Sequence, residues 1–94
     1  MQVRWLKRAL YTLDAEAAYI AQQNPIAANK CVSHIFKSVE QLADHPGSGR
    51  AGRVFGTREL VITHYPYIVP YRIKDDAVEV LRVFHTSRKW PTLF

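Results

Sequence analysis

The sequence predicts an α+β fold: an N-terminal strand and a helical hairpin packed on one face of a mostly antiparallel sheet. Three observations predict it. Apolar residues recur every three or four positions from Leu6 to Leu42, the pair Asn24-Pro25 interrupts that rhythm once, and after Gly49 the apolar period shortens to two. The 94 residues suit a single domain, 1–94, and are too few for two. With 48% apolar residues the chain can build a real core, and it holds neither repeats nor low-complexity tracts.

Gln2 to Trp5 is short enough to be one edge strand. From Leu6 the residues Leu6, Leu10, Leu13, Ala17 and Ile20 fall on one helical face. Proline disfavours helical geometry in the residue before it, so this first helix should stop near Gln23. Asn24 is a good N-cap and Pro25 a good first helical residue, so a second helix starts at once, its stripe being Ala28, Val32, Ile35, Val39 and Leu42. With almost no loop between them, the two helices should fold back as an antiparallel hairpin. His45-Pro46-Gly47-Ser48-Gly49 is a loop by composition.

Three strands are then expected. Glu59 to His64 is the first, with Tyr65-Pro66 as its turn. Tyr67, Val69, Tyr71 and Ile73 give the second one strongly apolar face. Lys74-Asp75-Asp76 is a hairpin turn, and Ala77 to His85 is the third strand. Pro70 has no amide to give a ladder, so its position calls for a bulge or an outward-facing amide.

Thirteen Lys and Arg against eight Asp and Glu leave a charge of +5. That balance on so small a body favours an anionic partner, nucleic acid or an acidic protein segment. No run approaches the ~20 apolar residues of a membrane helix. A lone cysteine, Cys31, excludes a disulfide framework and a thiolate-rich zinc site, and points to a reducing cytoplasm. The four histidines lack ligand spacing, and no metal or cofactor motif is present.

Arginine dominates the second half: Arg50, Arg53, Arg58, Arg72, Arg82 and Arg88, joined by Lys74 and Lys89. Guanidinium suits bidentate phosphate or carboxylate contacts, although single arginines on a sheet face are often only solvated charges. Arg50 and Arg53 flank a glycine-bearing loop, and Arg88-Lys89-Trp90 is a basic-aromatic tail. His85, where the last apolar strand meets that tail, could serve as acid, base or phosphate donor; more often, a histidine there is bonded to backbone. Cys31, beside a stripe residue, suits the core better than a nucleophile's role.

The run Ala9-Leu10, Leu13, Tyr19-Ile20-Ala21-Gln22, Asn24-Pro25 and Ala27-Ala28, followed by Leu42, His45-Pro46, Gly49-Arg50 and Gly56-Thr57-Arg58-Glu59-Leu60-Val61, resembles the RelE/ParE toxin superfamily. Pro66-Tyr67-Ile68-Val69-Pro70-Tyr71-Arg72, Val80-Leu81-Arg82-Val83, His85, Arg88 and Trp90-Pro91 continue the resemblance in order. Tyr11, Thr12 and Glu16 depart from it, standing where many members carry acidic, acidic and apolar residues. The resemblance implies the toxin of a type II toxin–antitoxin pair, associated with growth inhibition and plasmid stabilization. It implies a small ParD- or RelB-like antitoxin that neutralises the toxin in a hetero-oligomer. It also implies that Gln2–Trp5 joins the sheet.

RelE-like members of that superfamily cut mRNA in the ribosomal A site, whereas ParE-like members poison DNA gyrase. RNA cleavage needs a base, a cation for the developing phosphorane charge, and an acid. An arginine often opens the central strand in the nucleases, where this chain has Tyr67. Their loop with a catalytic glutamate or lysines reads Gly49-Arg50-Ala51-Gly52-Arg53 here. Arg58, Arg72 and His85 are the candidates left for an mRNA endonuclease. This incomplete set favours the gyrase-directed reading, in which the chain is not an enzyme. Its target-binding residues are then expected among Arg50, Arg53, Arg58, Arg72, His85, Arg88, Lys89 and Trp90.

Overall fold

The computed structural model describes residues 1–87. Its elements are β1 (Gln2–Trp5), α1 (Lys7–Ala21), α2 (Pro25–Glu40), a 3-10 turn (Gln41–Ala43), β2 (Arg50–Ala51), β3 (Arg58–Val61), β4 (Tyr67–Lys74), β5 (Ala77–Val80) and β6 (Phe84–His85). The strands form one sheet, ordered β1-β5-β4-β3-β2, with β6 also paired to β4. The pairs are antiparallel apart from β1 and β5, which run parallel from Gln2 beside Ala77 to Trp5 beside Val80. The expected architecture is present, with β1 at the sheet edge.

Both helices pack on one sheet face. Register places Tyr67, Val69, Tyr71, Val78 and Val80 on that face, where they form one core with Ala9, Leu13, Cys31, Ile35, Val39 and Leu42. The hairpin break behaves as the sequence implies: the Asn24 side chain accepts the Ala27 amide (3.0 Å) and Pro25 opens α2. The stripe of α1 does so only in part. Leu13 is buried and Ile20 packs against the core as expected, but Leu10 is 39% exposed and Ala9 and Glu16 are buried in its stead. The Leu6 amide donates to Val80 O (3.1 Å), so α1 starts in a phase set by β5, and small Ala9 takes the close contact. In α2, Cys31 is buried and Val32 only half-buried, packed against the core.

The strands also differ from their expected bounds. β3 ends at Val61 rather than His64, because the chain turns there, with the Ile62 amide on Tyr67 O (3.0 Å) and His64 at φ 70°. Ile73, expected on the apolar face, is 46% exposed; it lies one residue from the end of β4 and outside the core. Asp75 and Asp76 both have positive φ (53° and 58°), the two-residue loop whose twist matches a hairpin. β2 had no sequence signal beyond its glycine-bearing loop.

Pro70 divides the expected last strand. Two residues of β4, Val69 and Pro70, face three, Leu81 to Val83, between the β5 and β6 pairings. That is a bulge. The Leu81 amide donates to Pro70 O (2.9 Å), so the missing proline amide faces the bulge too. The Val83 amide is satisfied by Thr12 Oγ1 of α1 (2.9 Å), and that hydroxyl donates to Ala9 O (2.9 Å).

Tyr71 joins the loop after α2 to the sheet. Its hydroxyl donates to Pro46 O (2.7 Å) and accepts the Gly49 amide (2.9 Å). A Cβ on Gly49 would lie 2.6 Å from that oxygen, so only glycine fits. Two stability outcomes are expected in urea unfolding. Ile35→Ala empties a fully buried site and should cost about 2–5 kcal/mol. Tyr71→Phe keeps the ring but orphans an amide and a carbonyl, for a loss of about 1–3 kcal/mol.

Candidate functional site

The expected site residues fall into three separate places. At the β2–β3 edge Glu59 is the centre, a residue the sequence did not single out. Its side chain is 1% exposed, and a buried carboxylate requires partners. Arg50 donates from Nε (3.1 Å) and Nη2 (3.0 Å) to Oε1, and the Arg53 amide donates to Oε2 (2.8 Å). Arg58 lies on the other sheet face, donating from Nη1 to Gly47 O (3.3 Å) and Gly49 O (2.9 Å), the segment Tyr71 also holds. Arg50 and Arg58 thus stabilise the corner that displays them.

Glu59 fixes a tight turn. The Gly52 amide donates to Thr57 O (2.8 Å), and Thr57 bonds Val54 O through its amide (3.2 Å) and hydroxyl (2.6 Å). A Cβ on Gly52 would collide with the Thr57 hydroxyl, and Gly56 has φ 80°. At its tip Phe55 is fully exposed. An aromatic beside glycine in a polar loop was its available sequence signal.

Arg72 sits elsewhere, on the sheet face away from the helices. Its Nε donates to Glu79 Oε1 (2.7 Å) across β4 and β5, and Arg4 faces Glu79 from β1. The hydrogen bond to Arg72, with the charges of Arg72, Lys74 and Arg4, outweighs desolvation and holds the Glu79 carboxyl below the usual range.

His85 is at the far end of β4, paired with Tyr67, whose ring meets it edge-on at 5.3 Å. The Ser87 amide donates to His85 Nδ1 (3.1 Å), so Nδ1 is an acceptor and the neutral ring carries its proton on Nε2. The Ser87 hydroxyl, 2.7 Å from Nδ1, donates as well. His85, Tyr19 and Glu16 border two adjoining cavities, of about 510 and 440 Å³, between the helices and β6. Burial, and then the charge of Glu16, push the Cys31 thiol up, which suits a core residue and not a nucleophile.

Four residues of β4 and two strand spacings separate Arg58 from His85, roughly 16 Å. Arg72 is on the opposite face from Arg58. The structure therefore gathers Arg50, Arg53 and Arg58 along the β2–β3 edge, with Arg50 and Arg58 on opposite faces; Arg72 shares the face of Arg50 two strands further in, and His85 lies apart from them all. Arg88, Lys89 and Trp90 lie outside the described residues. His34 and His64, distant in sequence, do approach each other, at 6.0 Å between rings. No group of three metal-ligating side chains occurs among the described residues.

A family model described as the ParE toxin of the type II toxin–antitoxin system parDE matches residues 3–90. The chain belongs to this toxin family. It is 49% identical to Y4kP of Sinorhizobium fredii, whose name proposes a toxin, over 96% of this chain and 93% of the relative. Toxin RelE2 of Caulobacter vibrioides is 36% identical, over 93% of this chain and 97% of that one. A chain solved in a chromosomal ParDE toxin–antitoxin system from P. aeruginosa superposes with a TM-score of 0.82 at 30% identity, covering 93% of this chain and 97% of that one. Two helices on a sheet with an N-terminal strand is thus the fold of this toxin and its solved neighbour.

Two outcomes follow for the charged corner and the open face. Arg50→Ala strands a buried carboxylate and should destabilise the toxin by about 3–5 kcal/mol, more than Glu59→Gln, as chemical denaturation of both variants would read. Glu79 titrates below an ordinary glutamate, so its contribution is full above the ordinary value and is lost as pH falls through the lowered one. Arg72→Met should move the Glu79 carboxyl midpoint, followed by NMR, up toward that ordinary value.

Proposed function

We propose that this toxin acts on DNA gyrase, through surface contact and not through bond cleavage, and that a cognate antitoxin neutralises it. The observation that supports this reading is the dispersal of Arg58, Arg72 and His85. General acid–base catalysis needs its groups within about 3 Å of the atoms they serve, and no single scissile phosphate meets all three. A binding surface has no such requirement. The β2–β3 edge, with fully exposed Phe55 at the tip of its tight turn and Arg50, Arg53 and Arg58 in the same segment, offers residue types that anchor interfaces, an aromatic and arginines. The toxin's charge of +5 suits an antitoxin segment with acidic residues.

The alternative, a ribosome-dependent mRNA endonuclease in the manner of RelE, draws on the relatives' names and on His85, whose neutral Nε2 carries a proton within reach of a cavity. One preparation assayed for gyrase supercoiling and for ribosome-programmed mRNA cleavage separates the two. Inhibited supercoiling with intact mRNA is expected. Arg58→Ala or Phe55→Ser should weaken that inhibition, while His85→Gln, which preserves hydrogen bonding, should change it little. Phased mRNA cleavage with normal supercoiling, and a 10²–10⁴-fold (order-of-magnitude) rate loss in His85→Gln, would establish the nuclease instead. Co-expression with the small protein encoded beside the toxin should restore growth and yield a complex that survives moderate salt.

A further inference from the structure

Two histidines that the sequence sets far apart meet beside α2. His34 lies half-buried in the middle of that helix, and His64 in the turn between β3 and β4. Their ring centres are 6.0 Å apart, with the planes at 63°. Both rings are held by their surroundings. His34 also packs on the Tyr65 ring (5.3 Å), and its Nε2 lies 3.4 Å from the Thr63 hydroxyl. The turn is tied by the Ile62 amide on Tyr67 O (3.0 Å) and the Tyr67 amide on Tyr65 O (2.8 Å). Within it His64 takes a left-handed φ of 70°, uncommon for any residue but glycine, and in that conformation its ring reaches His34. The ring nitrogens of His64 bond no group among the described residues.

We propose that His34 and His64 bind one late first-row divalent metal ion, Cu²⁺ or Zn²⁺, with water in its remaining positions. Neutral imidazole is the ligand these ions prefer. A metal–nitrogen bond of about 2.0–2.1 Å, with about 1.1 Å from nitrogen to ring centre, puts the ion roughly 3.2 Å from each centroid. One ion can therefore join rings whose centres are up to roughly 6.4 Å apart, or roughly 5.2 Å apart at a tetrahedral angle. The observed 6.0 Å lies inside the first limit and a small side-chain rotation from the second. Lys30 and Lys37, one turn to either side of His34, line the same cavity of about 410 Å³, and their charge opposes a cation. Bonding to nitrogen must then carry the affinity, which ranks Cu²⁺ above Zn²⁺ and excludes the oxygen-seeking Mg²⁺. The bound ion would clamp α2 to the β3–β4 turn, and so stabilise the fold whichever target the toxin has.

The test uses the full chain and the metal alone. CuCl₂ is titrated at neutral pH and followed by electron paramagnetic resonance, and thermal unfolding is recorded with and without ZnCl₂ or MgCl₂. One saturable Cu²⁺ site coupled to two imidazole nitrogens is expected, with a midpoint of unfolding raised by ZnCl₂ and not by MgCl₂. His64→Asn suits a left-handed turn and His34→Gln suits a helix, so both variants should keep the amide spectrum of the parent. Each should weaken Cu²⁺ binding about 10-fold or more, remove one imidazole coupling and abolish the ZnCl₂ effect. Lys30→Gln, which relieves a like charge, should tighten binding about 1.5- to 5-fold. His45→Gln, in the loop after α2, should bind as the parent does. Binding that does not saturate, a signal from a single imidazole, or full binding by folded His64→Asn would overturn the proposal, as would its loss in His45→Gln.

Discussion

The hydroxyl of Tyr71 is the contact on which the two halves of this fold depend. The helical hairpin ends in Pro46–Gly49, a segment with little side chain of its own to bury. Tyr71, wholly buried in β4, reaches out of the sheet to take one amide and give one proton there. Arg58 adds two donors to neighbouring carbonyls from the same face. The chain therefore enters β2 at a fixed position, and β2 brings Arg50 onto Glu59. Removing the hydroxyl would leave the hairpin packed through its apolar stripe while loosening everything from Gly47 to Thr57. Stability of the core and order of the arginine corner are in this sense separable.

A second constraint begins with a missing atom. Pro70 supplies no amide, the partner strand bulges opposite it, and the extra residue sends β6 on beside Tyr67. The bulge creates an amide, that of Val83, which no ladder can satisfy, and Thr12 of α1 answers it. The superfamily pattern has an acidic residue in many members at this position, so the departure at Thr12 has a structural meaning here. Its oxygen serves as acceptor to a bulge and as donor to its own helix. The same bulge places Arg82 at one cavity and His85 at another, on opposite sides of the interruption.

Much of the architecture was legible because it rests on local chemistry. Asn24-Pro25 ends one helix and starts the next through effects confined to four residues, and the alternation from Tyr67 to Tyr71 follows from the pleat. The need for a bulge at Pro70 was legible for the same reason. The rotation of α1 was not: Leu10 and Ala9 fit a 3.6-residue stripe about equally well, and the amide of Leu6 bonded to distant Val80 decides between them. Nor was the site. Glu59 read as one strand residue among several, since its burial depends on Arg50 and on an amide six residues before it, and no pattern in the strand encodes that. Arg58, Arg72 and His85 looked like a group in sequence because strand alternation and length, which separate them, become visible only with the register.

That register also decides what the positive charge can do. The second half of the chain holds eight basic and four acidic residues, but the acids are not interchangeable. Glu59 is enclosed by Arg50 and a backbone amide, Glu79 is bonded to Arg72, and Asp75 and Asp76 occupy a hairpin loop at the sheet's end. Each carboxylate thus has a structural position that holds it away from most of the arginines. Basic side chains accordingly gather in two regions, the edge with Arg53 and Arg58 and the cavity lined by Lys7, Arg8 and Arg82. A uniformly basic surface would attract any polyanion to the same degree everywhere. Two separate regions, one bearing an exposed aromatic and one forming a concavity, therefore present different shapes to a partner.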